Sequence, residues 1–556
     1  MGTEYWNGAE AAHRRVMMKA AGYSDEDIRK KPHIGVPNSY MAGSPGTAHL
    51  RQVTEAVKEG IWAAGGIPVE FGIPATCGNV ANGADEMKYE QVGRDIVAMS
   101  IEFVSRVHNF DAICCVASCD LIIAGCYLAA CRLEIPAMVV TGGSMQAGNH
   151  CGNTVVEADL DAARFSGASE EELMEMEDSV CPSFGACPSM GTANTMQMLG
   201  EVLNLVMPGT STIPASDNAR LRAARSAGKY MVELAKSGRT PKDIITKEVL
   251  ENAIMFDMAV AGSTNAVLHI LAYAYELGID LSLADFEKYA KEIYCINAVI
   301  PSGPYTVVDF HYAGGVKNVM KMLERKLHTD APTIYGNTWK DILDTVTAKE
   351  NKVIHTLENP VAKEPGLKIL RGNISPAGAI VRPTAVFEEV KYLKGAAKVF
   401  EGDQQAYEAI MSGEIVPGDI IVIRYEGCKG APGMKELMLS IDALIGLGLD
   451  KSVGLITDAR FSGFNYGAIV GHVSPEAYDG GVIALIESGD IIEMDITNGF
   501  VNLLVDEEEL KARREKWVCP PLKQQKGVLN IYAKMCRPAE QGGAMQPWDL
   551  DAKYRN

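Results

Sequence analysis

The sequence predicts an α/β fold, in which an N-terminal α/β domain with a largely parallel sheet is followed by a smaller β-rich C-terminal domain. In the first 150 residues, short β-branched or apolar runs alternate with longer stretches of helical periodicity. Beyond residue 366, short apolar runs are separated by Gly and Pro, which is typical of a β-rich domain with few helices. We therefore expect domains at 1–355 and 367–556, joined through the polar segment 351–366, with a site in the cleft between them.

The predicted elements follow from the positions of the apolar runs. In the first domain, strands are predicted at 34–38, 69–73 and 112–117, with helices at 48–64 and 91–107. Ligands bind beyond the carboxyl ends of parallel strands, so the loops at 38–45, 74–78 and 118–120 are predicted to line the site. Helical patterns dominate 217–327, and strands are predicted at 418–424 and 453–457 in the second domain.

Composition restricts the class of protein and its partners. The chain has 556 residues, 47% of them hydrophobic, and a formal net charge of −19. Neutralising phosphates requires clustered Lys and Arg, so we expect no nucleic-acid partner. The sequence contains neither a leader-like segment nor an apolar run of about 18 residues, so we expect no membrane association. Thirteen cysteines, several of them inside apolar runs, suit the reducing cytoplasm.

Three segments place a cysteine or a carboxylate at a turn beside a regular element. They are Ser-Cys-Asp at 118–120, Gly-Ala-Cys-Pro-Ser-Met at 185–190, and the glycine-rich segment 424–436. A cysteine at a helix N-terminus is expected to have a lowered pKa, and the thiolate is the form that binds iron in a cluster. Neighbouring carboxylates supply the oxygen ligands that magnesium prefers. The segments therefore suggest a site with both soft and hard metal ligands.

Five longer motifs carry a family resemblance. They are Lys-Pro-His-Ile-Gly-Val-Pro-Asn-Ser at 31–39, Gly-Ser-Thr-Asn-Ala-Val-Leu-His at 262–269, Leu-Arg-Gly-Asn at 370–373, the segment 425–436, and Ile-Thr-Asp-Ala-Arg-Phe-Ser-Gly at 456–463. In these motifs the chain resembles the dihydroxy-acid dehydratases and their phosphogluconate and sugar-acid dehydratase relatives, from about residue 31 to the C-terminus. The resemblance implies a hydro-lyase that removes water from a 2,3-dihydroxy acid or sugar acid to give a 2-keto acid.

The resemblance also implies cofactors, residue roles and an assembly. It implies an iron–sulfur cluster, of the 2Fe-2S or 4Fe-4S type, with Cys119 and Cys187 as two of its ligands. Asp120 and Glu436 fall on magnesium ligands, and Ser462 falls on the serine that takes the C2 proton. A serine needs nearby cation charge to act as a base, so its role depends on the metal. The small-molecule partner is the hydroxy acid, and a homodimer or homotetramer is expected.

The chain departs from the family pattern at three ligand positions. Gly46 stands in place of a cluster cysteine, Gly78 in place of a magnesium carboxylate, and Leu121 in place of a lysine whose carbamylated form bridges to magnesium. We therefore expect an altered metal site. The nearby Cys77 is the candidate that completes the cluster, ahead of three alternatives: Cys126, Cys428 and His150.

Other interpretations stay open at this point. The same fold could carry out lyase chemistry without a cluster, using a single divalent ion held by Asp120 and Glu436. The chain could also be a catalytically retired paralogue that binds a ligand or an active partner. The aromatic side chains of Phe464 and Tyr466, where relatives carry small and polar residues, either reshape the substrate pocket or only pack.

Overall fold

The computed structural model describes residues 3–462 and 466–548. The first part of the chain forms strands β1 (His33–Asn38), β2 (Ile67–Gly72), β3 (Ala112–Ala117) and β4 (Ala137–Thr141), with helices α1 (Thr3–Trp6), α2 (Ala12–Ala20), α3 (Asp25–Lys30), α4 (Leu50–Ala63), α5 (Tyr89–His108) and α6 (Asp120–Leu133). The predicted strands and helices of this region are confirmed to within a few residues at each end.

These four strands form a parallel sheet in the order β2-β1-β3-β4. Alternate residues of β3 point to opposite faces, so that Cys114 packs towards α4 and Cys115 towards α5 and α6. Helices cover both faces, which is why every residue of this strand is buried and apolar. In register, Asn38 pairs with Gly72 and Val116, which brings the carboxyl ends of three strands to one edge of the sheet.

The middle of the chain is mainly helical. It forms β5 (Gly148–His150), β6 (Asn153–Val155), α7 (Glu157–Phe165), α8 (Glu170–Val180), α9 (Thr192–Val202), α10 (Asn218–Ser237), α11 (Pro241–Ile244), α12 (Lys247–Val260), α13 (Asn265–Leu277), α14 (Leu283–Ala290), α15 (Val307–Tyr312), α16 (Gly315–Met322) and α17 (Trp339–Leu343). Helices α9, α12 and α13 pack beside α6 in the largest hydrophobic core. This arrangement fixes the first turn of α9 next to the edge where the strands end.

The last part of the chain is built on a second sheet. Its elements are β7 (Lys368–Leu370), β8 (Gly378–Val381), β9 (Tyr392–Phe400), α18 (Asp403–Met411), β10 (Ile420–Ile423), β11 (Glu436–Leu437), α19 (Leu439–Gly446), β12 (Gly454–Thr457), β13 (Arg460–Phe461), β14 (Ala468–Ser474), β15 (Ile491–Asp495), β16 (Phe500–Leu503), α20 (Glu507–Lys516) and α21 (Val528–Met535). The sheet has the order β16-β15-β9-β10-β12-β14-β8-β7, parallel at its centre and antiparallel towards both edges. The predicted fold class is confirmed.

The described residues contain no helix that is both long enough and apolar enough to span a membrane.

Helices α4 and α10 pack through facing glycines, which makes Gly60 a test of this contact. A Cβ atom added at Gly60 would lie only 3.0 Å from the carbonyl carbon of Arg225 and from the backbone nitrogen of Lys229. We expect Gly60→Ala to lower the free energy of unfolding by about 1–3 kcal/mol, because backbone atoms must move apart. Gly93 on α5 is the matched control, since a Cβ there meets nothing within 4 Å.

Gly93→Ala is expected to be neutral or to stabilise by up to about 1 kcal/mol, because alanine is the better helix former. Thermal unfolding of both variants, followed by circular dichroism, checks the pair. A Gly60→Ala midpoint equal to or above that of Gly93→Ala would contradict the close helix contact.

Candidate active site

Two predicted site cysteines lie just beyond the carboxyl ends of β2 and β3, the strands on either side of β1 in the first sheet. Cys119 follows β3 and is the residue that precedes α6, which begins with Asp120. Cys77 lies in the loop after β2, directly before a short 3₁₀ turn, Gly78–Ala81. Because the strand ends are aligned, the two loops meet at the edge that the sequence predicted.

All six predicted site residues line one small cavity of about 50 Å³: Cys77, Cys119, Asp120, Cys187, Glu436 and Ser462. Glu436 begins β11 and Ser462 follows β13, two short strands that pair in parallel. The other four come from the first 190 residues. The cavity is therefore assembled from both parts of the chain.

The thiols of Cys77 and Cys119 form a hydrogen-bonded pair. The bond from Cys119 lowers the pKa of Cys77 to about 7, while burial opposes this shift. The same bond, together with burial, raises the pKa of Cys119 well above its usual value. Burial beside Glu157 likewise raises the pKa of Cys187. The prediction of lowered pKa values for Cys119 and Cys187 was wrong. At Cys119, burial and neighbouring negative groups outweigh the helix N-terminus, and Cys187 lies before Gly191, the N-cap of α9, and not at the helix end.

Gly46 contacts the sulfur of Cys119. A Cβ atom added at Gly46 would lie 3.3 Å from Cys119 Cβ and closer still to its Sγ. A cysteine at position 46 therefore does not fit unless Cys119 moves. On the other side of the cavity, Asn79 Nδ2 donates to Cys187 Sγ at 3.6 Å. The three thiols of the cavity come from positions 77, 119 and 187.

A second group of side chains consists of carboxylates around one buried arginine. Arg460 Nη1 donates to Glu436 Oε2 at 2.9 Å, and Nη2 donates to Glu90 Oε2 at 3.4 Å. Asn265 Nδ2 also donates to Glu436 Oε2, at 3.1 Å. Burial, reinforced by Glu90 and Glu436, raises the pKa of Asp120 well above its usual value. Burial raises the pKa of Glu90 to about 7, although the charge of Arg460 opposes the shift.

A buried carboxylate, Asp458, accepts backbone hydrogen bonds from the segment that leads to Glu436. Asp458 accepts from the backbone N–H groups of Tyr425, Glu426 and Ala477 at 2.9–3.1 Å. Tyr425 has a positive φ of 60°, which is strained for a residue with a side chain. The hydrogen bonds to Asp458 hold this turn, which lies in the segment that leads to Glu436.

The N-terminus of α9 also faces the cavity. Gly191, Thr192 and Ala193 line it, and the unpaired N–H groups of a first helical turn favour anions. Ser189 lines the cavity as well; it is fully buried, and its Oγ has no hydrogen-bond partner among the described residues. This side of the cavity can therefore receive a negatively charged group.

A larger cleft of about 560 Å³ borders the cavity at Asn79. Glu157 and Tyr466 line it, and the hydroxyl of Tyr466 donates to the carbonyl of Pro301 at 3.1 Å. Tyr466 therefore borders the cleft and does not merely pack in a core. Phe464, singled out with it in the sequence, lies outside the described residues.

Comparison with known proteins decides the family. Residues 31–342 match a sequence model described as dihydroxy-acid/6-phosphogluconate dehydratase N-terminal, and residues 352–543 match the corresponding C-terminal model. Proteins named dihydroxy-acid dehydratase are 44% identical in Caldanaerobacter subterraneus, 43% in Ignicoccus hospitalis and 43% in Pyrococcus furiosus. Each of these alignments covers 97% of this chain and 98% of the relative.

The chain belongs to the dihydroxy-acid/6-phosphogluconate dehydratase family. The resemblance inferred from the motifs is confirmed, and with it the assignment as a dehydratase, a hydro-lyase. The chain is thus an enzyme of a family that acts on small hydroxy acids.

The structure also separates the candidates for the third cluster ligand. Cys77 lies in the cavity. Cys126 is buried within α6 beside Cys115. Cys428 is buried with its sulfur 3.6 Å from Met434 Sδ, and His150 lies in β5 near Ser179. None of the three alternatives lines the cavity, so the geometry favours Cys77, whose role as a ligand stays a prediction.

The donors present fit the groups that this dehydratase family implies. Three thiols on one cavity suit the iron of a cluster. Asp120 Oδ1, which has no hydrogen-bond partner among the residues that the structure describes, suits magnesium together with Glu436. Within residues 3–462 and 466–548, no three His, Cys, Asp or Glu side chains converge closely enough to hold one ion as they stand. Binding an ion here therefore requires side-chain shifts toward a common point.

Sequence reasoning missed Glu90 and gave no role to Arg460 or Asn265. Arg460 and Asn265 do lie inside quoted motifs, which was the available signal. Glu90 reads as an ordinary acidic residue in the first turn of a helix, where carboxylates are common for electrostatic reasons. Its partner Arg460 is 370 positions away in the chain, so no local pattern connects them.

Proposed function

We propose that this protein removes water from a 2,3-dihydroxy acid or a related sugar acid to give a 2-keto acid. The observation that carries the proposal is the single cavity that joins Ser462 and Glu436 with Asp120 and three thiols. The full-length similarity to proteins named dihydroxy-acid dehydratase supports the same reaction.

Cys77, Cys119 and Cys187 would hold an iron–sulfur cluster, and Asp120 and Glu436 would hold a magnesium ion. When bound, these groups supply Lewis-acid stabilisation of the leaving 3-hydroxyl and positive charge beside the substrate carboxylate and Ser462. Cys77 takes the part of the cysteine that is missing at Gly46, which the contact between Gly46 and Cys119 supports.

The protein side chains then have distinct tasks. Ser462, as an alkoxide, takes the proton from C2 of the substrate while the C3–O bond breaks. The leaving oxygen then takes this proton from Ser462 and departs as water, which regenerates the alkoxide. The enol that forms between C2 and C3 becomes the 2-keto acid when C3 gains a proton and the C2 hydroxyl loses one. Thr192 and Ala193, on the first turn of α9, offer backbone N–H groups that orient an anionic substrate. Arg460 and Asn265 hold Glu436 in position.

A second candidate keeps the same reaction but uses one divalent ion and no cluster. The loss of a family cluster ligand at Gly46 favours it, since fewer residues of the family pattern remain to hold a cluster. In either case, we propose that the enzyme works in the cytoplasm as a homodimer or homotetramer, as the family resemblance implies.

The test is anaerobic purification followed by iron, acid-labile sulfide and magnesium analysis, visible absorbance, and 2-keto acid assays. The substrates are 2,3-dihydroxy-isovalerate, 6-phosphogluconate and unphosphorylated aldonates. We expect a brown protein that contains iron and sulfide and turns over at least one of these acids. A colourless, active protein with one divalent ion would favour the second candidate. Protein without metal and without turnover on any of them would overturn both and indicate a retired paralogue.

A further inference from the structure

Glu90 lies on the first turn of α5, with its carboxylate against Gly78. The residue is only 8% exposed. A Cβ atom added at Gly78 would lie 2.6 Å from Glu90 Cδ and 2.9 Å from Oε2, and closer still to Oε1. The carboxylate of Glu90 therefore fills the space into which a side chain at position 78 would extend. The family resemblance implies a carboxylate side chain at position 78, and in this chain the carboxylate of Glu90, from α5, occupies that space instead.

The carboxylates around Arg460 outnumber the positive charges beside them. Arg460 contacts both Glu90 and Glu436, and Asp120 lies within electrostatic reach of these two carboxylates. One guanidinium cannot neutralise three ionised carboxylates, and burial disfavours the uncompensated charge, which is why the pKa values of Glu90 and Asp120 are raised. A divalent cation bound beside them would supply the missing positive charge and allow all three to be ionised.

Buried oxygen atoms beside this group point to a bound ligand. Asp120 Oδ1 and Ser189 Oγ have no hydrogen-bond partner among the described residues, and both residues line the cavity. Ser189 is 0% exposed. Buried polar atoms in folded proteins nearly always have a partner, so these oxygens are expected to face a bound group.

We propose that Glu90 is a third carboxylate ligand of a divalent cation at this site, together with Asp120 and Glu436. This inference rests on the proposed function, because it concerns the same site. The hydrogen bond from Arg460 uses Oε2 of Glu90, whereas Oε1 is the oxygen nearest to Gly78. One oxygen thus anchors the side chain, and the other can bind the ion.

The experiment measures Mn²⁺ binding by the full-length protein, purified anaerobically and dialysed against a chelator, with free Mn²⁺ followed by electron paramagnetic resonance. Glu90→Gln keeps an oxygen for Arg460 but removes the charge. We expect its dissociation constant for Mn²⁺ to rise at least about tenfold. Glu102→Gln is the matched control, since Glu102 lies on the same helix and pairs with Arg106 and Arg132. Its affinity should equal that of the wild type.

A rescue pair guards against a variant that fails to fold. Glu90→Ala should weaken Mn²⁺ binding, and adding Gly78→Asp to it should restore most of the affinity, because the space that Glu90 leaves can hold the new carboxylate. Circular dichroism melts with and without Mn²⁺ give a second readout, in which the shift caused by Mn²⁺ shrinks in Glu90→Gln.

The outcomes separate this inference from the proposed function. Equal affinities of the wild type and Glu90→Gln would overturn the role of Glu90 and leave the dehydratase proposal intact. A wild-type protein that binds no Mn²⁺ would overturn both this inference and the magnesium part of the proposed function. A folded Gly78→Asp/Glu90→Ala protein that binds no more tightly than Glu90→Ala would also overturn the inference.

Discussion

Ser462→Ala is expected to lower kcat/KM for the accepted hydroxy acid by about a hundred- to ten-thousand-fold, the range that a positioned general base contributes. The residue is 5% exposed and lines the cavity with Asp120 and Glu436. The loss should fall mainly on kcat, because the serine acts on the C2 proton in the transition state. Steady-state assays of 2-keto acid formation measure the effect.

The control for this variant is Ser412→Ala, on an exposed helix end in the same part of the chain, which should keep the wild-type rate. Iron, sulfide and the thermal midpoint of Ser462→Ala should match the wild type, which shows that fold and metal content are intact. A decrease of less than about tenfold would remove Ser462 from the role of base.

Cys119→Ser and Cys187→Ser are each expected to remove most of the iron and acid-labile sulfide from anaerobically purified protein. Both residues line the cavity with Cys77, and a cluster that loses one of three thiolate ligands is no longer held firmly. Visible absorbance and turnover should fall together with the iron. Cys77→Ser should behave in the same way if Cys77 has taken the place of the cysteine missing at Gly46.

Cys151→Ser is the matched control, because Cys151 is exposed and does not line the cavity. Its iron and sulfide contents should equal those of the wild type. Iron that survives the replacement of both Cys119 and Cys187 would reject both residues as ligands and favour the dehydratase with a single divalent ion.

The sequence by itself was enough to predict the strands, the site loops and the family, because these depend on short stretches of sequence. The apolar run at 112–117 predicted both ends of β3 correctly, because a short run of apolar side chains is enough to indicate a buried strand. The loops after β2 and β3 were identified as site loops, because parallel strands present their carboxyl ends at one edge. The motif around Ser462 and the segment with Glu436 indicated the family, which the comparisons confirm.

Tertiary structure decided which side chains meet, and through this their chemistry. Cys119 precedes a helix, and a helix N-terminus by itself lowers the pKa of a thiol. The hydrogen bond between Cys119 and Cys77, together with burial, nevertheless raises the pKa of Cys119. Glu90 reads as a helix N-terminal acid, but packing places it against Gly78 and Arg460. Desolvation and contacts between distant residues depend on the whole fold, so no short stretch of sequence could have specified these interactions.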